Sequence, residues 1–150
     1  MGTLNKEEFV MNLNNIKNIV SKCHIVNLSF QNKNKSFIIP LNYGYEIYDN
    51  NLILYCYCNN KVKNLDFLID CSSINIEIVN DNSIYKQNLE VQKIQSNAKV
   101  EFIYDIYDKV RGLNKIIDHS TTYEKNEFKN KVINSIIILK ITCNDLIVNL

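Results

Sequence analysis

One stretch constrains this chain more than any other: Ser36 to Leu68, SFIIPLNYGYEIYDNNLILYCYCNNKVKNLDFL. It reads as strand, turn, strand, helix. Phe37 to Leu41 is an apolar run with Pro40 inside it. Proline has no N–H to give to a ladder and is confined to sheet edges, strand starts or bulges. Its apolar neighbours call for burial, so something other than a neighbouring strand is expected to cover the backbone there. Asp49-Asn50-Asn51 is a turn. Leu52 to Cys58 is a second strand, with Leu52, Leu54, Cys56 and Cys58 on one face and Ile53, Tyr55 and Tyr57 on the other. Asn59 or Asn60 can cap a helix carrying Val62, Leu65, Leu68 and Ile69 on one side.

Lys61 and Lys63 fall in the first turn of that helix. Cations there oppose the helix dipole, whereas the free backbone N–H groups attract anions. A phosphate between the two lysines would account for them. A pair of solvated surface lysines accounts for them equally simply, and on these residues alone is the preferred reading.

The rest of the chain alternates in the same way. Asn5 and Glu8 fit a capping box, followed by Phe9, Val10, Leu13, Ile16, Ile19 and Val20 at helical spacing, which predicts one helix ending near Lys22. His24 to Phe30 predicts a strand with Val26, Leu28 and Phe30 on one face. Gln31 to Lys35 predicts a hairpin connection looser than an Asn-Gly turn. Ser73 to Val79 predicts a strand with Ile74, Ile76 and Ile78 on one face, ended by a turn at 80–82. Glu90 to Tyr104 predicts one or two strands, with Ile94, Ala98, Val100 and Phe102 in phase. Asp105 can cap a helix bearing Ile106, Val110, Leu113 and Ile117, with Gly112 a weak point in it. Residues 120–131 are polar, with room for a short helix. Val132 to Cys143 predicts a last long strand, buried on both faces around Ile136 to Leu139.

Three consecutive strands joined by short turns favour antiparallel pairing. Strands interrupted by only a few helices favour a small barrel with helices outside it over a doubly wound sheet. The expected class is therefore mainly β with α: an antiparallel six- to seven-stranded Greek-key barrel with peripheral helices, in one domain spanning residues 1–150. A chain of 150 residues buries roughly 68–70% of its unfolded surface, enough for a core without staples. With only Gly2, Gly44 and Gly112 as glycines, a Gly-rich dinucleotide loop is excluded.

The net charge of +1 does not point to nucleic acid or an anionic membrane as partner. No run reaches the roughly eighteen apolar residues of a membrane span. Five cysteines, an odd count, with no signal-peptide pattern, lead to the expectation of a reducing cytoplasm. Cys56 and Cys58 share a strand face but have no second pair at metal-ligand spacing, so buried thiols are the default. His24 reads as structural. His119 reads as a partly exposed helix residue, although a role near a substrate is open to it. Asp66, Asp105 and Asp108 read as caps or surface groups. No Ser-His-Asp or Cys-His arrangement follows from spacing.

IIPLNYGY, a turn, LILYCYC and the basic helix start KVKNLDFL together resemble the pyridoxamine 5'-phosphate oxidase-like FMN-binding split barrels. The likeness is greatest to their small nitroimidazole-resistance-type branch, with its V-V-P-L-N-F-G-Y, L-Y-F-H-S-A and G-[KR]-K-x-D-L-L segments. Lys99-Val100-Glu101-Phe102 is similar to the family's R-A-E-F, Ile116-Ile117-Asp118-His119 to its L-M-x-H-Y, and the ending ILKITCNDLIVNL to its final strand. The resemblance runs from about Asn5 onward. It implies a homodimer with FMN in a groove at the subunit interface and a small-molecule substrate. It implies that the flavin ring lies along the backbone of Pro40, Leu41 and Asn42. It places Tyr57 and Cys58 where the family often has His or Tyr and then Ser or Thr, although a thiol is a weaker donor than a hydroxyl. It places Lys63 and Asn64 at the two basic positions of the phosphate site, with Asn64 replacing the usual Lys. It places Lys93 where a residue of the second subunit approaches the cofactor.

The family's vitamin oxidases carry a basic C-terminal segment for the substrate phosphate. The ending IVNL lacks it, which leads to the expectation of a flavin-dependent reductase instead. A flavin-binding storage protein, or a dimeric split barrel without FMN, are the competing expectations.

Overall fold

A computed structural model describes residues 6–58, 65–68, 71, 73–80, 92–120 and 136–149. Helices α1 (Lys6–Met11) and α2 (Leu13–Lys22) open the chain, followed by strands β1 (Ile25–Asn32), β2 (Lys35–Tyr48) and β3 (Asn51–Cys58). A single 3-10 turn, Leu65–Leu68, precedes β4 (Ile74–Val79) and β5 (Lys93–Ile103). Helix α3 (Ile106–His119) then leads to β6 (Ile137–Cys143) and β7 (Ile147–Asn149). All pairings are antiparallel. The order β4-β1-β2-β3-β6-β5 is closed by β4 pairing with β5. The result is a six-stranded closed barrel, with β7 continuing past β6 along the edge of β5. This is the expected split-barrel architecture, mainly β with helices outside.

Alternation explains the core. Val26, Leu28 and Phe30 of β1, Ile39, Leu41 and Tyr43 of β2, and Leu52, Leu54, Cys56 and Cys58 of β3 all point inward. Ile74, Ile76 and Ile78 of β4 and Leu139, Ile141 and Cys143 of β6 meet them there. Helix α2 adds Ile16, Ile19 and Val20 to this core. The Tyr43 hydroxyl, buried in this apolar interior, donates to the Val20 carbonyl at 2.7 Å, which removes the cost of burying it.

A second, smaller core lies outside the barrel wall, under α3. It comprises Ile53, Tyr55, Ile116, Ile136 and Ile138. Asp105 caps α3 as expected, its Oδ2 accepting the Asp108 N–H at 3.1 Å. The helix runs so close to the sheet that a β-carbon on Gly44 would fall on the Lys115–Ile116 peptide. Gly112, expected to be a weakness of the helix, is instead required by the approach: a methyl there would meet Tyr55 Cδ1 at 2.9 Å and Ile138 Cγ2 at 3.1 Å.

Two local expectations are corrected. The first helix is interrupted at Asn12, whose side chain donates to the Glu8 carbonyl at 2.8 Å. The β1–β2 connection is tight, not loose: Asn32 pairs with Lys35 across Lys33 and Asn34. Both central residues have positive φ, 50° and 68°, as a two-residue primed turn requires. The β2–β3 turn, Asp49 and Asn50, repeats this with φ of 51° and 60°. Of the one or two strands expected near here, residues 93–103 form one. The Asn5 cap, the helix start with Lys61 and Lys63, the turn at 81–82 and the polar segment 121–131 lie outside the described residues.

Candidate functional site

Strand β2 changes partners in mid-course. From Lys35 to Asn42 it pairs with β1. From Tyr43 to Tyr48 it pairs with β3. Among the described residues, no strand occupies the second edge of β2 between Lys35 and Asn42, and β3 diverges from it after Cys56. This is where the barrel is split. The outward side chains of the first half, Ser36, Ile38, Pro40 and Asn42, are all exposed, while Ile39 and Leu41 face the core. Ile38 is 68% exposed, unusual for a side chain of its size in a strand.

The predicted site residues fall into three groups. Pro40, Leu41 and Asn42 lie side by side on the open half of β2, with Pro40 and Asn42 outward. Tyr57 and Cys58 end β3, paired with Ile138 and Ile137. Tyr57 is half-buried against the outer core. The Cys58 side chain is 1% exposed and belongs to the barrel interior, where burial pushes its thiol up to about 12. Lys93 begins β5 between Val79 and Asn149. In the ring, β5 is separated from β2 by two strands in either direction. One chain therefore does not bring Lys93 to the Pro40–Asn42 edge. Lys63 and Asn64 lie outside the described residues.

An edge of exposed backbone with outward Pro40 and Asn42 suits the polar rim of a flat ring, which needs donors and acceptors and no special side chain. The covered backbone expected around Pro40 is not covered by this chain itself among the described residues. Cys58 fits a phosphate poorly, since its thiol faces the interior. Two other buried cysteines behave alike: burial raises Cys56 and pushes Cys143 up to about 12, which keeps them neutral and unreactive.

Two arrangements close to β2 had no local signal in the sequence. At the point where β2 changes partner, the chain's two histidines come together. His24 and His119 stack with ring centroids 4.8 Å apart. His119 also stacks on Tyr43 at 5.0 Å and meets Tyr45 edge-on at 5.2 Å. Its Nε2 lies 2.5 Å from the Cys23 carbonyl, and a carbonyl can only accept, so this nitrogen carries the proton. The Tyr43 N–H donates to the His24 carbonyl at 3.2 Å.

Farther along β2, Glu46 accepts from the Tyr55 hydroxyl at 2.7 Å and from Arg111 of α3 at 2.9 Å. Partial burial pushes the Glu46 carboxyl up, but those two hydrogen bonds outweigh it and hold it below the usual range. Burial, then the bond to Glu46, raises the Tyr55 hydroxyl. This network borders a cleft of about 530 Å³ that Tyr104 and Lys140 also line. A second cleft of about 500 Å³ lies on the outer face of β1, β4 and β5, with Ile38 at its β2 side and Asn27, Glu77 and Gln95 among its polar lining.

The sequence matches no protein family and no curated protein. Solved structures do match. A Bacteroides thetaiotaomicron protein assigned to 5-nitroimidazole antibiotic resistance superposes with a TM-score of 0.65 at 17% identity, over 89% of this chain and 80% of that one. A Listeria innocua protein assigned as a pyridoxamine 5'-phosphate oxidase gives 0.61 at 12% identity, over 90% and 95%. A FAD-binding protein from Mesorhizobium loti gives 0.64 at 10% identity, over 89% of each. The closed ring, its open edge at Pro40–Asn42 and these superpositions together identify the fold as the split barrel of the pyridoxamine 5'-phosphate oxidase-like and flavin-binding proteins.

Proposed function

We propose that this chain binds FMN along the open edge of β2 and acts, as a homodimer, as a flavin-dependent oxidoreductase on small molecules. The observation that supports this best is that, among the described residues, no strand takes the second edge of β2 between Lys35 and Asn42, beside the exposed, outward Pro40 and Asn42. In this reading the Pro40–Asn42 backbone meets the ring, Tyr57 flanks it, and Lys63 with Asn64 lies at the phosphate. Lys93 of the second subunit supplies a further cation, because its own strand lies across the barrel. The exposed Ile38 marks the face that the second subunit covers. The flavin supplies the redox chemistry, and the protein supplies position and electrostatics. Five free cysteines suit a reducing compartment such as the cytoplasm.

Titrating purified protein with FMN and with FAD, followed by flavin absorbance and fluorescence, tests the reading. Binding of FMN is expected, with Lys63→Ala weakening it by about ten- to a hundredfold, the value of one charged phosphate contact. Lys61→Ala should do less. An unchanged flavin spectrum at high protein excess would sink the proposal. The inward Cys58 thiol favours a second reading, a looser flavin-binding or storage protein without turnover. Bound FMN with no reduction of quinones or nitroaromatics by the reduced protein would select it.

A further inference from the structure

We infer that His119 and His24 are positioning residues for the cofactor edge: they hold β2 at the point where it leaves β1 for β3. The inference rests on the flavin reading above. A strand that changes partner has, at the change, neither ladder on both sides to fix it. Here the change falls between Asn42 and Tyr43, directly next to the proposed ring contact. Tyr43 is pinned from three elements. Its hydroxyl bonds α2 at Val20, its N–H bonds the His24 carbonyl, and its ring lies under the His119 imidazole at 5.0 Å.

His119 ties these together. It is the last residue of α3, whose body is already fixed by its approach to Gly44. Its Nε2 reaches the Cys23 carbonyl at the junction of α2 and β1, 96 positions away in the chain. Its faces contact both His24 and Tyr43. Removing either imidazole leaves the stack incomplete and frees the backbone at Asn42 to rotate. A flat ligand bound by backbone groups loses affinity when those groups are displaced by a fraction of an ångström. Neither histidine is assigned contact with the flavin or substrate.

The test compares FMN affinity, the visible circular dichroism of bound FMN, and melting temperature in His119→Ala, His24→Ala, the double variant and Ile141→Val. Ile141 is a fully buried β6 residue, paired with Leu54 and Val100 and separated from β2 by β3, and its variant supplies a loss of stability without loss of the stack. Each histidine variant is expected to weaken FMN binding by about tenfold and to change the dichroism of what remains bound. The double variant should be little worse than either single, since both remove one shared stack. His119→Phe, which keeps the stacking surface, should recover most of the affinity. Affinity and dichroism unchanged in the single variants, or losses that follow melting temperature as in Ile141→Val, would overturn the inference while leaving the flavin reading intact. A wild-type chain that binds no flavin would overturn both.

Discussion

The two halves of β2 are one strand with two fates. Past Asn42 the outward face meets α3, with Gly44 against helix backbone and Glu46 bridged to Arg111, before it emerges again at the exposed Tyr48. From Lys35 to Asn42 the outward face, Ser36, Ile38, Pro40 and Asn42, is exposed. Inward, both halves serve the same barrel core. The apolar content of the stretch does not distinguish them. What does is the outward residue type: a glycine and a carboxylate where the helix sits, and an isoleucine and a proline where it does not. The covered half carries stability. The bare half is the one that, in the function proposed above, meets the cofactor and the second subunit.

That division can be broken most forcefully at Gly44. A methyl group there meets backbone, which cannot rotate away as a side chain can. Gly44→Ala should destabilise the protein by about 3 kcal/mol in urea denaturation, the upper range for overpacking. A loss under about 1 kcal/mol would mean that α3 can lift off the sheet, and that the two halves are less different than described.

Glu46 offers a graded test of the covered half. Glu46→Gln removes a charge-assisted pair and should cost about 1–2 kcal/mol at neutral pH. The carboxyl is held below its ordinary value in the folded protein. Its contribution is therefore complete above the unfolded value, near about pH 4.3, and is lost as pH falls through the lower folded value. The gap between wild type and variant in urea midpoints should accordingly narrow on acidification. A gap independent of pH would assign the effect to packing.

The smallest effect on stability is expected in the bare half. Ile38→Ser should change unfolding free energy by less than about 0.5 kcal/mol, as for a surface site, yet shift the protein toward monomer in sedimentation velocity. A monomeric wild type at micromolar concentration would leave the exposed isoleucine unexplained and would remove the trans role proposed for Lys93.

Much of this was legible in the sequence, because a barrel wall writes itself in period-two alternation. Ile74-Ile76-Ile78 and Leu52-Leu54-Cys56-Cys58 each announce an inward face, and Asp105 announces a helix start. The Pro40-Leu41-Asn42 motif, through its family resemblance, marked the stretch that proved to lie at the open edge. What local pattern could not carry was contact between distant segments. Nothing near His24 or His119 signals that they stack, and Gly112 looked like a weak residue until the ring of Tyr55 was seen beneath it. The Cys58 alternation did place its thiol inside the barrel. Its match to a hydroxyl position in the family drew attention to the opposite side.

The placement of glycine has a consequence for how this chain can diverge. Both glycines among the described residues, Gly44 and Gly112, sit where α3 meets the wall. The four turn residues with left-handed backbone, Lys33, Asn34, Asp49 and Asn50, do without glycine altogether. Any of those four positions can drift to glycine with relief of backbone strain. Neither glycine under the helix can drift away from it. The lineage of such a chain is free at its hairpin tips and locked at one helix–sheet seam, so the spacing between Gly44 and Gly112 is a more durable signature of descent than any of its loops.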